Sequence, residues 1–269
     1  MALHELVATA REKLDRTTWD YVIGGSESET TIRRNRAAID SLGWVPRVLN
    51  DVSDVDPGTR FLDASLAMPV LLAPIGSLQA IEPGGGASAA QAAADSKVMS
   101  IASSVCEPSL EDIATSSDAP KIYQLYVRGD DAWVADMVAR VIAAGYKGFC
   151  LTVDTAVVSR RERDIAKRVV PTSQQSSEGI NFQASLNWST VEMIKSTFDI
   201  PLILKGIAHP EDVRRALDSG VDVIYLSNHG GRQLDQGVGS ISLLPDIVEL
   251  IDGQAGIAID GGFYRGNDI

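Results

Sequence analysis

The 269-residue sequence predicts an α/β protein, a parallel (β/α)8 barrel of the TIM type for which the chain supplies strands one to seven. Two observations predict it. From Met68 onward, seven short apolar runs alternate with amphipathic segments, and the runs lack strict polar alternation. Near-continuous apolar runs are what parallel strands covered on both faces require. In addition, polar residues gather at the C-terminal ends of nearly all the runs: Ser103 and Ser104, Gln124 and Tyr126, Thr152 and Asp154, Lys205, His229, and Asp260. A closed barrel brings these ends to one rim, whereas an open sheet concentrates its ligand at a switch point.

The stretch 1–67 reads as a helical antechamber within one domain spanning 1–269, with the barrel in 68–269. It holds a helix over residues 3–22, a Gly24-Gly25 stop, a second helical piece from Thr30 to Ser41, and a Pro57-Gly58 turn. The strand runs follow: MPVLLAPI, VMSIASS, KIYQLYV, GFCLTVD, PLILKG, VDVIYLSN and GIAIDGG. Gly84–Gly86 follow a Glu82-Pro83 turn, lack a dinucleotide fingerprint and read as a helix opening. Trp133, Val134, Met137, Val138, Val141 and Ile142 recur at helical spacing until Gly145 ends the pattern. Pro210, with Glu211 and Asp212 behind it and Gly220 beyond, marks another crossover helix. A third runs from Ser242 to Ile251 and stops at Gly253.

Between Thr155 and Pro201 lie a charged segment, RRERDIAKR, and a polar one, TSQQSSEG, expected as a mobile loop over the rim. The run GIAIDGG is followed only by FYRGNDI, so the eighth strand has no sequence here. An unclosed barrel exposes two sheet edges. The expectation is therefore a barrel whose C-terminal part is missing.

A formal net charge of −12 disfavours nucleic-acid binding, which relies on clustered Lys and Arg. Local cations in a cleft still permit a small anionic ligand. Cys106 and Cys150 alone offer neither a disulfide framework nor a thiolate metal site, and they fit a reducing compartment. The N-terminus lacks the apolar core of a signal peptide, and no run approaches the roughly 20 apolar residues of a membrane span. A cytoplasmic protein is expected. With three histidines and no paired metal-ligand spacing, no metal is expected.

The segment SNHGGRQLD, residues 227–235, directly follows a strand. The strand end would fix His229 on the rim, two glycines would let the backbone turn closely around a ligand, and Arg232 could grip an anion with its planar fork. This string resembles the signature of the FMN-dependent 2-hydroxy acid dehydrogenases and oxidases, a family that includes glycolate oxidase, lactate dehydrogenase and oxidase, and mandelate dehydrogenase. DYVIGG, MPVLLAPIG, YQLYV, LTVDT, RRERD, LKGI and DGGFYRG appear in that family's order, so the resemblance covers essentially the whole chain.

The resemblance implies an FMN cofactor and a small (S)-2-hydroxy acid substrate of the lactate, glycolate or mandelate class. It implies His229 as base, with Asp154 favouring the imidazolium once formed. Arg161 and Arg232 match the carboxylate-binding positions, and Tyr21 and Tyr126 match substrate-bonding phenols. Lys205 matches a lysine facing flavin N1 and O2, where fixed positive charge stabilises the reduced ring. Ser103, Gln124 and Thr152 match ring contacts, and the backbone of Ala73, Pro74, Ile75 and Gly76 matches the stretch lying against the ring. Asp260 matches a ribityl contact, with Gly261 and Gly262 near the phosphate. Tyr264 stands where many members carry a phosphate-binding arginine, leaving Arg265 as the substitute; Ile75 replaces a threonine and Val105 a tryptophan of some oxidases. The resemblance leaves the electron acceptor open among oxygen, a quinone and a cytochrome, and implies a homo-oligomer. The competing reading is an inactive fragment of such an enzyme.

Overall fold

A computed structural model describes residues 2–168 and 181–269. The segment TSQQSSEG, residues 172–179, lies outside them. All seven predicted runs form strands of one parallel sheet: β3 (Leu71–Leu72), β4 (Met99–Ser103), β5 (Lys121–Leu125), β6 (Gly148–Thr152), β7 (Leu202–Ile207), β8 (Val223–Leu226) and β9 (Gly256–Ile259). Their spatial order is their sequence order, β3 through β9. A doubly wound sheet would reverse order at a switch point; winding without reversal is that of a barrel. β3 and β9 are the edges.

Period-two alternation sorts the strand residues into two cores. Met99, Ile101, Ile122, Cys150, Ile203, Val223 and Tyr225 form an inner cluster. Leu125, Phe149, Leu151, Leu202, Leu204, Ile224 and Leu226 face the opposite way, into the layer shared with the helices. Continuing the inner column toward the C-terminal strand ends gives Ser103, Gln124, Thr152 and Lys205, so the polar groups fall at the barrel mouth by the same parity that buries Ile101 and Ile203.

The other end is closed by an unanticipated hairpin, β1 (Thr59–Phe61) with β2 (Ala64–Leu66). Its loop residues Leu62 and Asp63 have φ of 46° and 61°, a tight two-residue turn. Phe61, Leu62, Ala64 and Leu66 pack against the inner cluster.

The expected helix over 3–22 is two helices, α1 (Leu3–Lys13) and α2 (Arg16–Ile23), because the Asp15 carboxylate accepts from the Thr17 and Thr18 amides and starts a new helix. α3 (Thr30–Asp40) follows as expected. α4 (Gly85–Asp95) opens at the glycine run, and α5 (Leu110–Thr115) was not anticipated. α6 (Asp131–Ala143) buries Val134, Met137, Val138 and Val141 but turns Ile142 outward. The charged segment expected as loop carries α7 (Glu162–Ala166), and α8 (Phe182–Ser185) and α9 (Trp188–Thr197) precede β7. α10 (Pro210–Asp218) is capped by His209, and α11 (Ser240–Ile251) begins two residues before the expected Ser242. No described helix is long and apolar enough to cross a membrane.

The N-terminal segment lies on the mouth, not beside the barrel. The Ser26 amide donates to Gly231 O (2.9 Å), the Thr31 amide to Asp235 Oδ1 (2.8 Å), and Asn35 and Asn228 exchange amide hydrogen bonds of 2.9 and 2.7 Å.

Candidate active site

The mouth begins with a neutral polar row. Ser103 Oγ donates to Gln124 Oε1 (2.8 Å) and Gln124 Nε2 to Thr152 Oγ1 (2.8 Å), all three side chains buried. Each bond satisfies a group that would otherwise be stranded in the barrel. Beside the row, the buried Lys205 ammonium donates to Ser227 Oγ (2.9 Å) and lies 3.2 Å from Asp260 Oδ2, while Ser227 donates to Asp260 Oδ1 (2.7 Å). Burial alone would push the Lys205 ammonium down, but the charges of Asp260 and Asp154 outweigh it and hold the group above the usual lysine range.

After β8 the backbone makes a tight turn, with φ of 57°, 62° and 73° at His229, Gly230 and Gly231. Gly231 admits no side chain, since a Cβ there would sit 2.7 Å from the Ile32 amide nitrogen of α3. Left-handed backbone at the non-glycine His229 costs roughly 1–3 kcal/mol, sustained only where the surroundings enforce it. Here Ser227 Oγ accepts from the His229 amide (3.0 Å), and α3 covers the turn. The result aims the imidazole between two partners: Nδ1 is 3.0 and 3.2 Å from the Asp154 carboxylate oxygens, and Nε2 is 3.1 Å from the Tyr126 hydroxyl. An Nδ1–H donating to Asp154 leaves the Nε2 lone pair to accept from Tyr126. Burial raises the Asp154 carboxyl, yet the charge and hydrogen bond of His229, with the Lys205 charge, hold it below the usual carboxylate range. Burial pushes the Tyr126 phenol up, keeping it a neutral donor.

Next to this pair is a cationic end. The Arg161 and Arg232 guanidinium carbons stand 5.6 and 5.0 Å from the centre of the Tyr21 ring. Arg232 is anchored by bonds to Tyr21 O (2.8 Å) and Gly24 O (2.6 Å), so the chain entering α3 sets its position. Arg161 is buried, and burial first, then the neighbouring Arg232 charge, pulls its guanidinium below the usual range. Asp164 lies 3.3 Å from its Nε.

The structure thus brings together His229, Asp154 and Tyr126; Tyr21, Arg161 and Arg232; Lys205 and Asp260; and Ser103, Gln124 and Thr152. Gly261 and Gly262, with φ of 105° and 88°, pass directly under α3. Pro74 is buried, Ala73 and Gly76 are partly buried, and the Ile75 side chain is exposed. Arg265 is exposed and Tyr264 stacks with Arg36 (5.6 Å), so neither side chain is drawn into the mouth. Sequence reasoning missed Ser227, which joins Lys205 to Asp260 from within the quoted string; Asp164, the counter-ion in RRERD; and Gln183, whose Nε2 donates to Thr152 O and whose Oε1 accepts from the Val127 amide.

A parallel barrel carrying a buried cation, an uncharged polar row and a carboxylate-held imidazole on one mouth is the framework of a flavin-dependent oxidoreductase. The chain belongs to the FMN-dependent dehydrogenase family, whose model matches residues 10–269. It is 34% identical to the peroxisomal (S)-2-hydroxy-acid oxidase GLO4 of Oryza sativa subsp. japonica over 99% of this chain and 78% of the relative. It is 35% identical to the L-lactate oxidase of Lysinibacillus sphaericus, over 98% and 75%. A solved mandelate oxidase superposes with a TM-score of 0.92 at 34% identity, over all of this chain and 80% of that one. The family is FMN-dependent, and the mouth fits that cofactor chemically: an uncharged row of amide and hydroxyl groups suits a ring edge with mixed donors and acceptors, and the Lys205 ammonium suits a ring that gains negative charge.

Proposed function

We propose that this chain oxidises a small (S)-2-hydroxy acid of the lactate, glycolate or mandelate class to its 2-oxo acid, with His229 as base. The carrying observation is the imidazole held between Asp154 and Tyr126, its Nε2 turned away from the carboxylate. FMN, when bound, supplies the acceptor for the substrate's two electrons. Nε2 of His229 takes a proton from the α-carbon or from the hydroxyl, and the imidazolium so formed faces the Asp154 carboxylate. Tyr126 holds the substrate oxygen near the base. Arg161 and Arg232 take the substrate carboxylate: two cations pressed together around Tyr21 gain most from an anion placed between them.

Lys205, with Ser103, Gln124 and Thr152, would hold the ring; Asp260, Gly261 and Gly262 its ribityl phosphate arm; and the backbone from Ala73 to Gly76 its face. Arg265, exposed after β9, would be one cation for the phosphate, and Arg36, whose guanidinium donates to Gly262 O (2.9 Å), would be another. The resemblance leaves the final electron acceptor open among oxygen, a quinone and a cytochrome. The same reading carries a homo-oligomer by resemblance and a cytoplasmic location, the latter in keeping with the free thiols Cys106 and Cys150.

The test is an anaerobic visible spectrum of the FMN-reconstituted chain before and after lactate, glycolate or mandelate. Bleaching of the flavin bands by one of them, abolished by His229→Ala with flavin still bound, is the expected result. Near-normal bleaching in that variant removes His229 as base, and no bleaching of bound flavin by any 2-hydroxy acid removes the substrate class.

A further inference from the structure

We infer that Gly206 is a positioning residue for the His229–Asp154 pair, its missing side chain being the space in which the Asp154 carboxylate is held. The inference rests on the reading of His229 as base. β7 departs from regular pairing at this residue: Lys205 pairs with Tyr225 and Ile207 with Leu226, leaving Gly206 as an extra residue opposite β8. Its φ is +112°, a conformation that side-chain-bearing residues rarely adopt. A Cβ built there would lie 2.5 Å from Asp154 Cβ, 2.6 Å from Asp154 Cγ and 3.0 Å from the Asp154 amide nitrogen.

Asp154 cannot retreat cheaply. The neighbouring Val153 amide donates to Lys205 O (2.9 Å), which ties the two strands together at this level. The carboxylate is committed to His229 Nδ1. A methyl group at 206 therefore cannot coexist with the Asp154 side chain in its present place, and moving that side chain disturbs its hydrogen bonds to His229 Nδ1. The bulge falls after Lys205, whose inward facing is set by the regular pairing that precedes it, and carries Ile207 into the layer shared with the helices.

The direct test is Gly206→Ala, read first by imidazole nitrogen NMR without substrate. Only His4, His209 and His229 contribute. His209 Nδ1 accepts from the Glu211 amide, so its proton sits on Nε2, whereas His229 donates to Asp154 from Nδ1 and shows the opposite tautomer. In Gly206→Ala the His229 Nδ1–H signal is expected to broaden or move to the free-imidazole position. In the reconstituted enzyme kcat is expected to fall about 100-fold with KM changed less than threefold, the size of effect that a misplacement of about 1 Å produces. An unchanged His229 signal overturns the inference whatever the activity. A changed signal with undiminished turnover upholds the geometry and instead removes His229 as base.

Should Gly206→Ala fold poorly, the same substitution in an Asp154→Gly background decides. Removing the Asp154 side chain takes away the two nearest contacts, so alanine at 206 should lower Tm less there than in the parent. An equal loss, or failure to fold in both backgrounds, shows that the glycine is demanded by backbone conformation alone and overturns the inference.

Discussion

Lys205→Met is the substitution whose outcome the barrel mouth specifies most fully. The side chains of Lys205 and Asp260 are 6% and 23% exposed and stand 3.2 Å apart. Breaking a buried pair from one side costs about 3–5 kcal/mol, mainly because the remaining charge is left uncompensated. Asp260 keeps some water and the Ser227 hydrogen bond, which places the cost at the lower end, about 3 kcal/mol. For a chain of this size each kcal/mol moves Tm by about 2–4 °C, so the expected drop is about 6–12 °C. Adding Asp260→Asn keeps an acceptor for Ser227 while removing the orphaned charge, and should restore all but about 1 kcal/mol. Urea unfolding followed by circular dichroism and thermal melts measure both. A Lys205→Met variant within 1 °C of the parent, or a double variant no better than the single, would refute the claim that the pair is electrostatically interdependent.

Three further outcomes follow from the same mouth. Gln124→Leu strands the Ser103 hydroxyl and Thr152 Oγ1 in the barrel at about 1–3 kcal/mol each, so an unfolding free energy lower by about 2–6 kcal/mol is expected, and a loss under 1 kcal/mol contradicts the buried row. Asp154 is held below its unfolded value, so its stabilising contribution is complete above about pH 4 and disappears as pH falls through the lower folded value. Asp154→Asn should therefore flatten the acid limb of stability in urea titrations between pH 5 and 3, and an unaltered limb argues against the shift. Burial pushes the Cys150 thiol up to about 12, so alkylation at pH 8 followed by mass spectrometry should label it only after unfolding.

The strands were legible because residues buried on both faces must be apolar over their whole length, and β4, β5, β6 and β8 are buried at every position. The mouth was legible for a related reason: Gln124, Thr152 and Lys205 interrupt otherwise apolar runs on the inner parity, and a polar side chain is placed there only with partners to meet. The β1–β2 hairpin was not legible, since its turn uses Leu62 and Asp63 at positive φ instead of the glycine or asparagine that usually signals one. The break between α1 and α2 was hidden for the opposite reason: Asp15 caps a helix inside a pattern that continues across it. Contacts between distant segments carried least signal. Nothing local to Asn35 marks it as the partner of Asn228, and nothing in LKGI marks its glycine as the space for a carboxylate.

The covering of the His229 turn by α3 has a consequence for biosynthesis. Asn35 and Asn228 are 193 residues apart in the chain. At ribosomal rates of about 5–20 residues per second, α3 waits about 10–40 s between its own emergence and that of its docking surface. Throughout that interval the helix has no partner for the face that carries Thr31, Asn35 and Ile39, and non-local closure of this kind is slow even once both ends are available. The left-handed backbone at His229 depends on that closure. The mouth therefore joins a helix made early, α3, to turns made late, after β8 and after β9, and these contacts must wait until the chain from residue 228 onward has been synthesised.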